Sequence, residues 1–282
     1  MKLPNMKALG SFLFIILLTG CAIHQELVKV KTPVKSDDQI QPEWFTADIR
    51  SLPIYNNSVA LAEIADELCM RSAPFGQKVY ALRLAIQANM LDKKDKEVAQ
   101  VLSRVAFFVA DAIDTDEDKM KKSADIGVKA ARSIGITDAN PEICYYFALN
   151  QGLITRTKGL FAINRLPEIE GALKIAQKVE HLDSGGPLRV LGMLYLKAPA
   201  WPSGIGDLDK ALEFFERAVK KYPSHPQNFM FYAQALTEDD NKDSALQNLD
   251  MAYRLSVPEI WGVYYSKKWR TEIDELKKKI AN

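Results

Sequence analysis

From residue 57 onward, apolar residues recur every three or four positions, the spacing of one face of an α-helix. The first such stripe consists of Leu61, Ile64, Ala65 and Leu68. Further stripes follow to the C-terminus, separated by short segments rich in Pro, Gly or acidic residues, and the acidic segment 114–118 is typical of a turn that caps the next helix. Strand-like alternation is missing from the sequence. The pattern therefore predicts an all-α domain of about 10 to 13 helices over residues 56–282.

Residues 185–223 contain two amphipathic segments with the residue pattern of a tetratricopeptide repeat. That pattern places a large apolar residue, Leu-Gly and Tyr in the first helix. The second helix then carries Ala, a large apolar residue, a second Ala and a closing Pro. These positions are filled by Leu188, Leu191, Gly192, Tyr195, Ala211, Phe215, Ala218 and Pro223.

A second unit follows the first. The second helix repeats after 34 residues, from Ala211 to Ala245, whereas the first helix repeats after 41, from Leu188 to Phe229. The turn between the two helices of the first unit is therefore about seven residues longer than the corresponding turn of the second unit. Because one hairpin cannot bury its own apolar face, we expect antiparallel helical hairpins stacked as a tetratricopeptide-like superhelix.

The last predicted helix has the pattern expected of an end cap. Trp269, Ile273, Leu276 and Ile280 fall on one face, and the opposite face consists of Lys and Glu. A terminal repeat needs such a polar outer face to remain soluble.

The N-terminus has the pattern of a targeting segment. Lys2 and Lys7 precede an apolar run over residues 9–18, which is too short to span a bilayer. The run ends in Leu-Thr-Gly followed by Cys21, which resembles a bacterial lipobox. We expect a signal peptide at residues 1–20, lipidation at Cys21 and a Pro-containing tether over residues 21–55. The alternative is an ordinary secretory peptide with a chance cysteine.

The position after the cysteine bears on which membrane holds the anchor. Ala22 stands there instead of the aspartate that resembles an inner-membrane retention signal, so the outer membrane, facing the periplasm, is favoured. Basic and acidic residues number 37 and 36, which gives none of the basic excess typical of nucleic-acid binders. The membrane contact is therefore expected to come from acyl chains.

The sequence offers little catalytic chemistry. His24, His181 and His225 are far apart and lack metal-ligand spacing, and no nucleophile elbow, P-loop or dinucleotide fingerprint occurs. Gly185 and Gly186 precede a helix start, where a sharp turn explains them better than a phosphate site. We predict no enzyme activity, no cofactor and no metal.

Two cysteines remain after Cys21. Cys69 and Cys144 both lie in apolar helical segments, which favours buried free thiols over a disulfide, although an oxidising periplasm would permit the bond.

The long turn is the first candidate for a contact surface. Pro199, Trp201 and Pro202 give it an apolar and stiff tip, which is either exposed to a partner or folded back on the neighbouring hairpin. Tyr145 and Tyr146 are adjacent and cannot both face the core of one helix, so one of them is a candidate to line a groove or pore.

Two further features stand out. The apolar insert at residues 159–163 is a candidate oligomer contact. Arg189, at the start of an apolar helix, is expected to tie down the turn before it.

Residues 140–255, preceded by the lipobox, resemble the TatT family, the T components associated with tripartite ATP-independent periplasmic (TRAP) transporters. The likeness is strongest at the turn before the repeat and in the long turn inside it, although Ile205 separates two glycines that the family tends to pair. The turn residues that carry it are Gly185, Gly186, Arg189, Gly204, Gly206 and Asp207.

The resemblance implies a periplasm-facing lipoprotein that forms a homotrimer around a pore. It implies pairing with the transporter's periplasmic solute-binding protein and hand-over of a hydrophobic or small organic ligand. The rival hypothesis is a tetratricopeptide scaffold for envelope assembly that binds no small molecule.

Overall fold

The computed structural model describes residue 50 and residues 54–113, 115–157 and 163–281. The expected signal peptide, Cys21 and nearly all of the tether lie outside these residues, as do four of the five residues of the insert at 159–163. The described part is all-α, with eleven helices and no strand. The helices are α1 Ser58–Leu68, α2 Phe75–Leu91, α3 Lys96–Asp111, α4 Glu117–Ile134, α5 Pro141–Arg156, α6 Leu166–Ala176, α7 Gly186–Lys197, α8 Leu208–Lys221, α9 Pro226–Glu238, α10 Lys242–Leu255 and α11 Pro258–Ala281.

Local chemistry explains where many of these helices begin. The side chains of Asp95, Asp116 and Asp207 accept hydrogen bonds from the first free backbone N–H groups of α3, α4 and α8. Helices α5, α6, α7 and α9 carry a proline in their first turn, where its fixed φ suits the helix and the missing N–H would have had no intrahelical acceptor.

Consecutive helices pack against each other as hairpins, and the hairpins stack. Odd-numbered helices also contact one another, α1 with α3, α3 with α5, α7 with α9 and α9 with α11. The odd-numbered helices therefore form one layer and the even-numbered helices pack beside them. The predicted fold class, helical hairpins stacked as a superhelix, is confirmed.

The repeat positions are packing positions. Ala211, Phe215 and Ala218 of α8 are completely buried. A Cβ atom on Gly192 would lie 2.6 Å from the Phe215 ring, so only glycine lets α7 and α8 approach this closely. Small residues at these positions set the distance between the two helices.

The last helix does more than cap the array. Tyr265 of α11 donates a hydrogen bond of 2.8 Å to the Asp111 carboxylate at the end of α3, and the Lys268 ammonium lies 3.4 Å from the Asp111 carbonyl. The helix is interrupted at Gly262, whose φ is 77° and whose missing Cβ would lie 2.8 Å from the Ser72 carbonyl oxygen. The sequence predicted only that this helix caps the array, whereas α11 also packs against the first hairpins.

Cys69 and Cys144 are buried free thiols. Burial raises the pKa of the Cys69 thiol to about 12 and that of the Cys144 thiol to about 11, so neither is a thiolate near neutral pH. No helix of the described residues is both long enough and apolar enough to span a bilayer.

Candidate functional site

A half-open cavity of about 660 Å³ lies on the layer of odd-numbered helices. Four of these helices, α3, α5, α7 and α9, contribute side chains to its wall, and α6 closes one side. Most of this wall is apolar. Its larger apolar side chains are Phe107, Leu149, Leu153, Leu166, Ile169, Val190, Met193, Leu194 and Phe231.

Charged side chains are also found in the wall, and their balance is positive. The cavity is lined by four basic and two acidic residues, a formal net charge of +2. These residues are Arg71, Arg156, Arg189, Lys197, Asp111 and Asp183.

Asp183 is the centre of a buried polar cluster. Its two carboxylate oxygens accept hydrogen bonds of 3.0 and 2.9 Å from Nη2 of Arg71. The same carboxylate also accepts from Nη2 of Arg189, at 2.6 Å, and from the hydroxyl of Tyr145, at 3.2 Å. Burial alone would raise the pKa of Asp183, but the two guanidinium groups hold it well below its usual value. The carboxylate is therefore ionised at neutral pH.

The backbone of this turn adopts an unusual conformation. Asp183, Ser184 and Gly185 have φ values of 49°, 49° and 86°, so three successive residues are left-handed. Such conformations cost free energy in residues other than glycine, which the surrounding contacts must offset. A Cβ on Gly186 would lie 2.0 Å from the Tyr145 hydroxyl, so the turn and the tyrosine can approach only because residue 186 is a glycine.

Arg189 links this turn to α9. Its Nη1 donates to the Asn228 side-chain oxygen at 2.6 Å, and its two terminal nitrogens also reach the carbonyls of Ser184 and Asp183 at 3.4 and 3.2 Å. The Asn228 amide in turn donates to the Tyr222 carbonyl at 2.7 Å. Arg189 thus lies across the preceding turn, and its two terminal nitrogens both have protein acceptors.

His225 completes the cluster as a neutral imidazole. Its Nδ1 accepts from the Gln227 backbone N–H at 3.3 Å, so the proton resides on Nε2, which lies 3.7 Å from Asp183. Burial and the positive charge of Arg189 lower the pKa of His225 to about 3. The ring packs against Trp261, with centroids 4.6 Å apart.

Arg71, in the loop between α1 and α2, has a different arrangement from Arg189. Its guanidinium lies 5.1, 5.4 and 5.8 Å from the ring centroids of Phe108, Tyr265 and Trp269. Burial works against its charge, yet Asp183 raises the pKa of Arg71. Its Nη2 is bonded to Asp183, whereas neither Nη1 nor Nε has an acceptor among the described residues. Part of this guanidinium thus remains available at the cavity.

Tyr145 and Tyr146 are both buried in the core, so the expectation that these adjacent residues cannot both face it is wrong. Tyr145 also lines the cavity, whereas Tyr146 does not. Pro199 lines the cavity at the end of α7, while Trp201 is 85% exposed and Pro202 is exposed. The tip of the long turn is therefore open to solvent.

The long turn is held by its own backbone. The Gly206 N–H donates to the Pro199 carbonyl at 2.8 Å, and the Asp207 N–H donates to the Tyr195 carbonyl at 3.0 Å. A Cβ on Gly204 would lie 2.5 Å from the Pro199 carbonyl oxygen. Asp207 then caps α8, as its predicted turn role requires.

Sequence reasoning missed Arg71 and Asp183. They are 112 residues apart, and neither belongs to a motif. The one signal was Arg189, a charged residue within an apolar helix start, because a buried guanidinium requires a carboxylate or several carbonyls nearby. Among the described residues, no group of three or more His, Cys, Asp or Glu side chains is placed to hold a metal ion.

No protein-family model matches the chain, and a search of characterised proteins finds no match. Among solved structures, the chain is similar to the crystal structure of YrrB, described as a TPR protein with an unusual peptide-binding site. The two are 16% identical, with 79% of this chain and 97% of YrrB covered, at a TM-score of 0.39. That likeness is too distant to carry an argument about this chain.

Proposed function

We propose that this chain is a lipid-anchored, periplasm-facing protein that holds a small organic ligand in this half-open cavity and exchanges it with a partner protein. The observation that supports the proposal is the cavity of about 660 Å³ on the layer of odd-numbered helices.

The size and the lining of this cavity indicate what it can hold. Pockets that bind small molecules occupy about 300–1,000 Å³, with mostly apolar walls and a few polar groups that orient the ligand. This cavity has that size and that division between apolar wall and polar cluster.

The partner that we propose is the periplasmic solute-binding protein of a TRAP transporter, with this chain as a homotrimeric T component. The resemblance described above supports this choice. The exposed Trp201 is a suitable contact for such a partner, because Trp is enriched at the centres of protein interfaces.

Gly152 offers a direct test of the cavity. It lies on α5 in the cavity wall, and a Cβ built on it meets no atom within 4 Å. Gly152→Leu should place a bulky apolar side chain in the cavity and reduce the space left for a ligand. Gly171→Leu is its matched control, because Gly171 has equally open space but lies on α6 away from the cavity.

The measurement is mass spectrometry of small molecules extracted from the full-length protein after purification from its native membranes. We expect an organic molecule to accompany the unaltered protein and Gly171→Leu, and to be present in a clearly smaller amount in Gly152→Leu. Equal amounts in all three, or no molecule in any, would refute a ligand in this cavity and favour the scaffold without a small molecule.

The partner is tested separately by crosslinking tagged full-length protein in intact cells. We expect a periplasmic solute-binding protein among the crosslinked products. Repeated capture of envelope-assembly proteins without any solute-binding protein would support the scaffold hypothesis instead.

A further inference from the structure

The inference concerns the chemical class of the ligand, and it rests on the proposed function. Arg71 is the residue that carries it. Its Nη2 donates to both carboxylate oxygens of Asp183, and three aromatic rings lie within 5.8 Å of its guanidinium carbon. Nη1 and Nε are hydrogen-bond donors with no acceptor among the described residues, and the side chain lines the cavity. A guanidinium held in this way can bind an anion from one edge.

Of the two acidic groups in the wall, Asp183 offers no equivalent site for a cation. Both oxygens of Asp183 already accept from Arg71, and one of them also accepts from Arg189 and Tyr145. One oxygen of Asp111 accepts from the Tyr265 hydroxyl. The remaining charged groups of the wall are basic, so the electrostatic potential of the cavity favours a negative ligand.

The rest of the wall suits an apolar body. Leu149 of α5, Val190 and Met193 of α7 and Phe231 of α9 surround the space next to the cluster. An apolar group placed there would be removed from water, with a favourable free energy roughly proportional to the area buried.

We propose that the cavity binds an amphipathic organic anion. Its acidic head group accepts hydrogen bonds from the free edge of Arg71, and its hydrocarbon part lies between α5, α7 and α9. Asp183 is a positioning residue, because it fixes the guanidinium rather than touching the ligand.

The first experiment compares head groups on one hydrocarbon chain. Octanoate, 1-octanol and octylammonium are titrated calorimetrically into the full-length protein in nanodiscs of zwitterionic lipid, with nanodiscs lacking protein as the blank. A hydrogen bond to a charged group strengthens binding by about ten- to a hundredfold. We therefore expect octanoate to bind at least about tenfold more tightly than octanol, and octylammonium to bind the most weakly of the three.

The second experiment changes the guanidinium. Arg71→Gln should weaken octanoate binding by about tenfold or more and leave octanol binding within about twofold. Arg71→Lys keeps the charge and should recover part of the octanoate affinity. Arg132→Gln removes an arginine that pairs with Glu168 outside the cavity and should alter neither affinity. Circular dichroism checks that each variant is folded, and the head-group series on unaltered protein remains decisive if Arg71→Gln is not.

The outcomes distinguish the two proposals. If octanol binds as tightly as octanoate, or if folded Arg71→Gln keeps the octanoate affinity, the anionic class is wrong while the cavity remains a ligand site. If none of the three probes binds and Gly152→Leu changes nothing, the proposed function is wrong and the anion proposal with it.

Discussion

The two loops that flank α7 differ in what holds them and in what they hold. The turn at residues 183–186 is largely buried, and its Asp183 side chain contacts the loop before α2, the helix α5 and the helix α7. The long turn at residues 199–207 is held mainly by its own backbone, and its most conspicuous residue, Trp201, is 85% exposed. The buried turn links distant parts of the chain through Asp183, whereas the long turn leaves the side chain of Trp201 exposed to solvent.

An unusual sequence and an important position therefore need not coincide. The long turn attracts attention because it interrupts a regular repeat. The residues that organise the cavity lie at the other end of the same helix, where the sequence contains a single aspartate within an ordinary polar segment. We expect the stability of the protein to depend on the buried turn and not on the exposed one.

The largest effect is expected from Asp183→Asn. The substitution leaves two guanidinium groups beside a buried neutral amide, and loss of one partner of a buried ion pair costs about 3–5 kcal/mol. Urea denaturation followed by circular dichroism measures the free energy of unfolding. Glu180→Gln is the control, because Glu180 pairs with Lys221 and Arg217 near the surface, where such pairs contribute about 0–1 kcal/mol. Equal losses in the two variants would contradict the importance given to the buried turn.

The next effect is expected from Gly186→Ala. The added methyl group would overlap the Tyr145 hydroxyl, and overpacking of this kind costs about 1–3 kcal/mol. Gly171→Ala adds the same group to a helix where nothing lies within 4 Å, and should stabilise the protein by about 0.4–1 kcal/mol. Thermal unfolding of both variants gives opposite shifts if the turn is as tightly packed as described.

A pH-dependent effect is expected from His225. Its pKa is about 3 in the folded protein against 6.5 in the unfolded chain. Between these values the unfolded chain binds a proton that the folded protein does not, so stability falls as the pH is lowered from about 6.5 towards 3. The slope for one proton is at most about 1.4 kcal/mol per pH unit.

His225→Asn is the variant that isolates this contribution, because asparagine keeps a helix-capping oxygen and does not titrate. Unfolding free energies measured from pH 7 to pH 4 should decrease less steeply for the variant than for the unaltered protein. Parallel curves would show that the imidazole is not held neutral. The low pKa of Asp183 acts in the same direction below about pH 4 in both proteins, so it does not affect the comparison.

The smallest effect on stability is expected from Trp201→Ala. Substitutions of exposed residues usually change the free energy of unfolding by no more than about 0.5 kcal/mol. Crosslinking to the solute-binding protein should nevertheless decrease if the long turn is the docking surface. Unchanged crosslinking together with unchanged stability would remove the long turn from the proposed interface.

The fold was predictable because its determinants are local. Amphipathic stripes, prolines in first turns and capping aspartates specify each helix within a few residues, and the pairing of Gly192 with Phe215 is part of a known repeat pattern. The charged cluster was not predictable, because Arg71 and Asp183 meet only after several hairpins have stacked. Arg71 lies in a short loop whose sequence gives no sign of burial. Lipidation at Cys21 and the role of Trp201 remain predictions.

The contact between α11 and Asp111 has a consequence for how the chain is made. Residues 111 and 265 meet across 154 positions, and Tyr265 and Trp269 of α11 also lie against the guanidinium of Arg71. During synthesis, the N-terminal hairpins emerge long before the helix that holds this arginine in place. A nascent or truncated chain can therefore assemble most of its hairpins and still lack the finished surroundings of Arg71, which are completed only when the last helix has been added.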